Sequence, residues 1–111
     1  MAVLAVLTNL PDSESAFNLA RTVVARRVAA CVNVLAPATS FYRWEGREEQ
    51  ASEVPVIIKT TPERYAELES VLRECHPYEL PEIIALPVVQ GLENYLGWVV
   101  DECKPVPDSA P

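Results

Sequence analysis

Thr39-Ser40-Phe41-Tyr42-Arg43-Trp44-Glu45-Gly46-Arg47-Glu48-Glu49-Gln50 is the stretch on which the fold of this chain turns. β-Branched and aromatic residues lead up to a Glu-Gly pair, and Gly46 tolerates the positive φ that a tight hairpin requires. Upstream, Ala29 to Leu35 is a second strand-like run, and Pro37 between the two marks a bulge or an unpaired edge position in one long strand. Downstream, the return strand carries Glu48, Glu49 and Glu53 first and Val56-Ile57-Ile58 later, so its early half reads as solvated and its late half as buried. Pro55 within it suggests a further irregularity. At about 15 residues each, these strands exceed the usual 3–10 and should project beyond a small monomer.

Working outward, the uncharged run Ala2 to Leu7 reads as a strand buried on both faces. Pro11 and Asp12-Ser13 punctuate it and offer a side-chain acceptor for a helix start. From Glu14 to Val28 the residues Phe17, Ala20, Val23 or Val24, and Val28 recur at helical spacing. On the other side of the hairpin, Thr61-Pro62-Glu63 combines an N-cap hydroxyl, a proline at the first helical position and a carboxylate in the first turn. Tyr65, Leu68, Val71, Leu72 and Cys75 then line one helix face. A strand from Ile83 to Val89 follows, marked by Pro87 as an edge strand. Leu92 to Glu102 is a final helical segment, with Leu92, Tyr95, Leu96 and Val99 in register.

The order β-α-β-β-α-β plus a C-terminal helix is an α+β arrangement of the ferredoxin-like, split βαβ kind. It occupies residues 1–103 as a single domain, with 104–111 as a Pro-rich tail expected to be disordered. Both crossover helices fall on one face of an antiparallel sheet. The other face would be bare and apolar, and the hairpin would overhang. Both features predict burial against further copies of the chain.

Half of the 111 residues are apolar and 23% are charged, with 9 basic against 16 acidic residues and a net charge of −7. A field of that sign repels nucleic-acid phosphates and anionic headgroups and attracts cations. The apolar start, Met1 to Leu7, has no basic flank and is too short to span a bilayer, so no membrane segment is expected. Cys31, Cys75 and Cys103 are odd in number and far apart, which favours reduced thiols in a cytoplasmic setting. There is no phosphate-cradling Gly-rich loop and no Ser-His-Asp order, so no enzyme is expected.

The densest chemistry lies in Cys75-His76-Pro77-Tyr78-Glu79-Leu80-Pro81-Glu82, which contains the single histidine. Pro77 and Pro81 fix their own φ and push His76 and Leu80 towards extended backbone, so the turn has little freedom. Cys, His and Glu are the side chains a borderline divalent metal selects. The same residues also suit a structural corner, in which the prolines end a helix and His76 satisfies the bend. Both readings stay open on composition.

Arg27-Val28-Ala29-Ala30-Cys31-Val32-Asn33-Val34, Tyr42-Arg43-Trp44-Glu45-Gly46, Ile58-Lys59-Thr60, His76 to Glu82 and Tyr95-Leu96-Gly97-Trp98 together resemble, in order and spacing, the CutA divalent-cation tolerance proteins. The resemblance covers residues 2 to 102. It implies a ferredoxin-like fold assembled into a homotrimer, similar in architecture to PII signalling proteins. It also implies a link to divalent metals, copper especially, without an established reaction. The ligand set it implies begins with a first-strand cysteine, replaced here by Thr8. Cys75, His76 and Glu82 match the remaining positions, a thiolate–imidazole–carboxylate set that suits copper or zinc over magnesium or calcium. A second class of function is a PII-like signalling or scaffold trimer that binds a small molecule or a partner protein.

Overall fold

The computed structural model describes residues 2–106. Among these the elements are β1 (Leu4–Leu10), α1 (Ser13–Ala25), β2 (Cys31–Val34), β3 (Ala38–Trp44), β4 (Arg47–Thr60), α2 (Pro62–Cys75), β5 (Ile84–Pro87) and α3 (Glu93–Glu102). The protein is α+β, with one antiparallel sheet in the order β2-β4-β1-β5 and β3 paired to β4 beyond the end of β2. Most of the expected tail, residues 107–111, lies outside the described residues, whereas Lys104 is held at its carbonyl by Arg27 Nε at 2.7 Å.

β4 is the 14-residue strand on which the others assemble. Its Val54–Thr60 half pairs with β1 on one edge, from Leu4 opposite Thr60 to Leu10 opposite Val54. On the other edge β2 covers Val56–Lys59, and β3 covers Arg47–Glu53. Between those two pairings, residues 35–37 of the outer chain face only residues 54–55 of β4, a one-residue bulge at the place Pro37 marks. The single long strand expected there is therefore two strands, β2 and β3. Pro55 does not break β4. Its carbonyl accepts the Leu35 N–H at 2.9 Å, so its hydrogen-free nitrogen faces the same edge, where the bulge leaves no ladder bond to lose.

The hairpin closes at Glu45 (φ 50) and Gly46 (φ 76), both left-handed as a two-residue turn of this kind demands. β3 and the first half of β4 carry almost no buried residue, and the molecule measures 53 × 35 × 23 Å, so the ribbon overhangs the body as its length implies. β5 lies at a sheet edge, as Pro87 indicates.

Alternation along the strands creates two sheet faces. Val6, Leu10, Val54, Val56 and Ile58 are buried against Ala16, Leu19 and Val23 of α1 and Leu68, Val71 and Leu72 of α2. On the opposite face Leu7 lies across from Ile57 and Ile84, and Ile84 and Leu86 are each 48% exposed. A smaller cluster of Val3, Val99 and Cys103 seats α3.

Four local expectations are corrected. The buried face of α1 is Ala16, Leu19 and Val23, one position away from the Phe17/Ala20 stripe, and Phe17 stands 46% exposed. The helix ends at Ala25 rather than Val28, because Arg27 adopts a left-handed φ of 59° and turns its guanidinium to the Asp101 and Lys104 carbonyls at the end of α3. Thr61 precedes α2 but its hydroxyl makes no cap bond, and Cys75, expected on the apolar face, is exposed. At α1 the cap is Asp12, whose Oδ1 accepts the Ser15 N–H at 2.8 Å.

Burial assigns different outcomes to the two large residues of α1. Leu19→Ala is expected to cost about 2–5 kcal/mol in urea unfolding and Phe17→Ala about 1 kcal/mol or less. The reverse order would restore the original stripe.

Candidate functional site

The polar cluster forms where α2 ends against the far end of β1. His76 is the residue at which α2 stops. Its N–H still donates to the Leu72 carbonyl at 2.9 Å, but its backbone is extended (φ −82°, ψ 130°), the conformation that Pro77 imposes on the residue before it. The residue is only 8% exposed. Nε2 lies 2.7 Å from the Asn9 carbonyl oxygen, and Nδ1 lies 3.2 Å from the Tyr78 amide nitrogen. A carbonyl can only accept and an amide N–H can only donate, so these partners assign the proton to Nε2 and the lone pair to Nδ1. Burial holds the His76 pKa below its ordinary value, against the opposing pull of the Asn9 carbonyl and the Glu53 carboxylate.

Asn9 holds the other end of the turn as well, since its Nδ2 donates to Glu82 Oε1 at 3.2 Å. The register explains why Asn9 is available. Asn9 lies opposite Pro55, whose carbonyl is turned to the other edge of β4. Asn9 therefore turns its own backbone groups away from β4, towards the edge that β5 covers only from Leu4 to Leu7. Past the end of β5 that edge is open, and the imidazole occupies it. Tyr78 packs on His76 with ring centroids 4.9 Å apart, and its phenol is pushed up to about 12 by burial and by the neighbouring Glu53 carboxylate.

The implied ligand residues are not assembled in the single chain. Cys75 is exposed as the last residue of α2, both nitrogens of His76 are engaged, and Glu82 is tied to Asn9. Among the described residues no three His, Cys, Asp or Glu side chains converge on a point that could hold a metal ion. Thr8, at the position of the family's first-strand cysteine, faces the core with Val6 and Leu10, and its buried Oγ1 has no hydrogen-bond partner. Lys59 pairs with Asn33 across the strands. An open surface hollow of about 790 Å³, lined by Val89, Gln90, Gly91, Glu93 and Leu96, involves none of these groups. Residue-type reasoning missed Asn9. The one signal for it was an Asn inside an apolar strand, where that residue is depleted.

A class follows from this description: small α+β proteins with one antiparallel sheet, an overhanging two-stranded ribbon, and a polar cluster at the sheet's end. The family model for the CutA1 divalent ion tolerance protein matches residues 4–102. Human protein CutA is 44% identical over 108 residues, 97% of this chain and 60% of that protein, so the chain spans about three-fifths of that relative's length. The divalent-cation tolerance protein CutA of Thermus thermophilus is 39% identical over 94 residues, covering 85% of this chain and 91% of that one. The solved structure of CutA from Xylella fastidiosa superposes with a TM-score of 0.89 at 39% identity, over 92% of this chain and 98% of that one. The chain belongs to the CutA1 divalent ion tolerance family.

Two predictions follow from the cluster. Thr8→Val replaces an unpartnered buried hydroxyl by a methyl of the same shape, and is expected to raise stability by about 1 kcal/mol in urea unfolding. Because His76 is neutral in the fold, the unfolded chain binds the extra proton. This contribution to stability is complete above the unfolded value near 6.5 and is lost as pH falls towards the lower folded value. Urea midpoints compared at about pH 7 and about pH 5 should fall more in the wild type than in His76→Gln. Equal falls would remove His76 from the acid response.

Proposed function

We propose that this chain acts in divalent-cation tolerance as a homotrimer of ferredoxin-like, PII-like subunits, taking copper or zinc in the cytoplasm without catalytic turnover. Family membership supports the tolerance role. The strand order β2-β4-β1-β5 with both crossover helices on one face supports the split βαβ reading. The half-exposed apolar face of Leu7, Ile57, Ile84 and Leu86, together with Phe41 exposed on the overhanging ribbon, supports assembly with further copies. A net charge of −7 draws cations to any such assembly, and three free cysteines suit a reducing compartment.

The observation that carries the metal reading is Cys75. It is exposed, as Glu82 is, but unlike His76 and Glu82 it is not engaged by Asn9 or Tyr78, and it extends from the end of α2 beside a turn held at both ends by Asn9. A thiolate there suits a soft or borderline cation, and a neighbouring copy would complete the coordination. The test is calorimetric titration of Zn²⁺ into the assembled wild type and into Cys75→Ser. Binding is expected to weaken by at least about tenfold in the variant. Equal affinity in the two proteins would overturn Cys75 as the contact.

A further inference from the structure

Family resemblance points to His76 as a ligand, and the structure gives the same ring a different and complete set of partners. Coordination at Nδ1 would take the lone pair that receives the Tyr78 N–H and orphan a backbone donor beside a residue only 8% exposed. Coordination at Nε2 would remove the proton given to the Asn9 carbonyl and set a cation where a hydrogen bond now closes the open edge of β1. Either step breaks a made bond, and leaving a buried donor or acceptor unpaired costs more than the bond itself contributes. Swinging the ring outward breaks both bonds at a backbone that Pro77 keeps extended. Glu82 is exposed and gives one oxygen, Oε1, to Asn9 Nδ2.

We propose that the His76–Glu82 turn of this chain is a latch on β1, not a metal site. His76 is a positioning residue that joins Asn9 to Tyr78, Glu82 docks on the Asn9 amide, and a cation held by this protein bypasses the imidazole. Asn9 is the residue through which the latch works, offering its carbonyl to His76 and its side-chain amide to Glu82. The inference concerns ring atoms visible without any metal, so it stands or falls separately from the Cys75 reading.

The chain has a single histidine, so a long-range ¹H–¹⁵N spectrum of the ¹⁵N-labelled full-length protein reports this ring without assignment. The expected spectrum is that of one neutral imidazole protonated at Nε2, unchanged after Zn²⁺ is added in excess over protein. Hydrogen exchange provides the second readout. The Tyr78 amide should exchange on the order of tenfold faster in His76→Phe, which keeps a ring but no nitrogen, and recover protection in His76→Asn, which restores an acceptor. An Nδ1-protonated ring, or a Zn²⁺-induced shift of either ring nitrogen at one ion per chain, would overturn the proposal. So would a Tyr78 amide indifferent to both variants. A protein that takes up no Zn²⁺ while its ring keeps the Nε2–H form supports the latch and refutes the cation contact at Cys75.

Discussion

Pairing on both edges of β4 is the constraint from which the rest of the molecule follows. One edge carries β1 along seven residues, and the other carries β2 and then β3 with a bulge between them. That pairing sets the inward row of Val54, Val56 and Ile58 on which α1 and α2 pack, and so it also sets which residues are left on the bare face. It fixes the register of β1 to the residue, and a slip of one would turn Val6, Thr8 and Leu10 outwards. The position of Asn9 opposite Pro55, with its carbonyl on the open side, is a consequence of the same register.

The polar cluster therefore belongs to the sheet before it belongs to any ligand. β5 is short, pairing only from Ile84 to Pro87, and leaves the last part of β1 without a neighbour on that edge. An unpaired edge backbone group needs a partner, and His76 supplies one for the Asn9 carbonyl as α2 ends. The prolines on either side of Tyr78-Glu79-Leu80 limit how the chain can leave that corner, so histidine and asparagine meet through backbone requirements and Glu82 follows onto the Asn9 side chain. Of the implied donors, this leaves the exposed Cys75 and one oxygen of the exposed Glu82 outside the bonds of the turn.

Much of the fold was legible in the sequence because its signals are local. Asp12 before α1, Pro62 at the start of α2, Gly46 in the hairpin and Pro87 at the edge each act within a turn of chain. The α1 stripe was misread because Phe17 and Ala20 are as apolar as Ala16 and Leu19, and only the sheet decides which row is covered. At the site, the turn itself was visible as a dense run of chemistry. Its meaning was not, because both ring nitrogens of His76 are satisfied by groups whose availability depends on strand register: an Asn9 carbonyl left free by a short β5, and a Tyr78 amide two residues on. Backbone acceptors do not appear in a residue pattern. Thr8 was legible as a lost thiolate but not as a core-facing residue, which again follows from alternation along β1.

The most direct test is a high-resolution crystal structure of the full chain grown with Zn²⁺ in excess. The account predicts a His76 ring still bonded to the Asn9 carbonyl and the Tyr78 amide, with Asn9 on Glu82 and any ion away from the imidazole. An ion about 2.0–2.1 Å from either nitrogen of His76, with the ring released from Asn9, would contradict it.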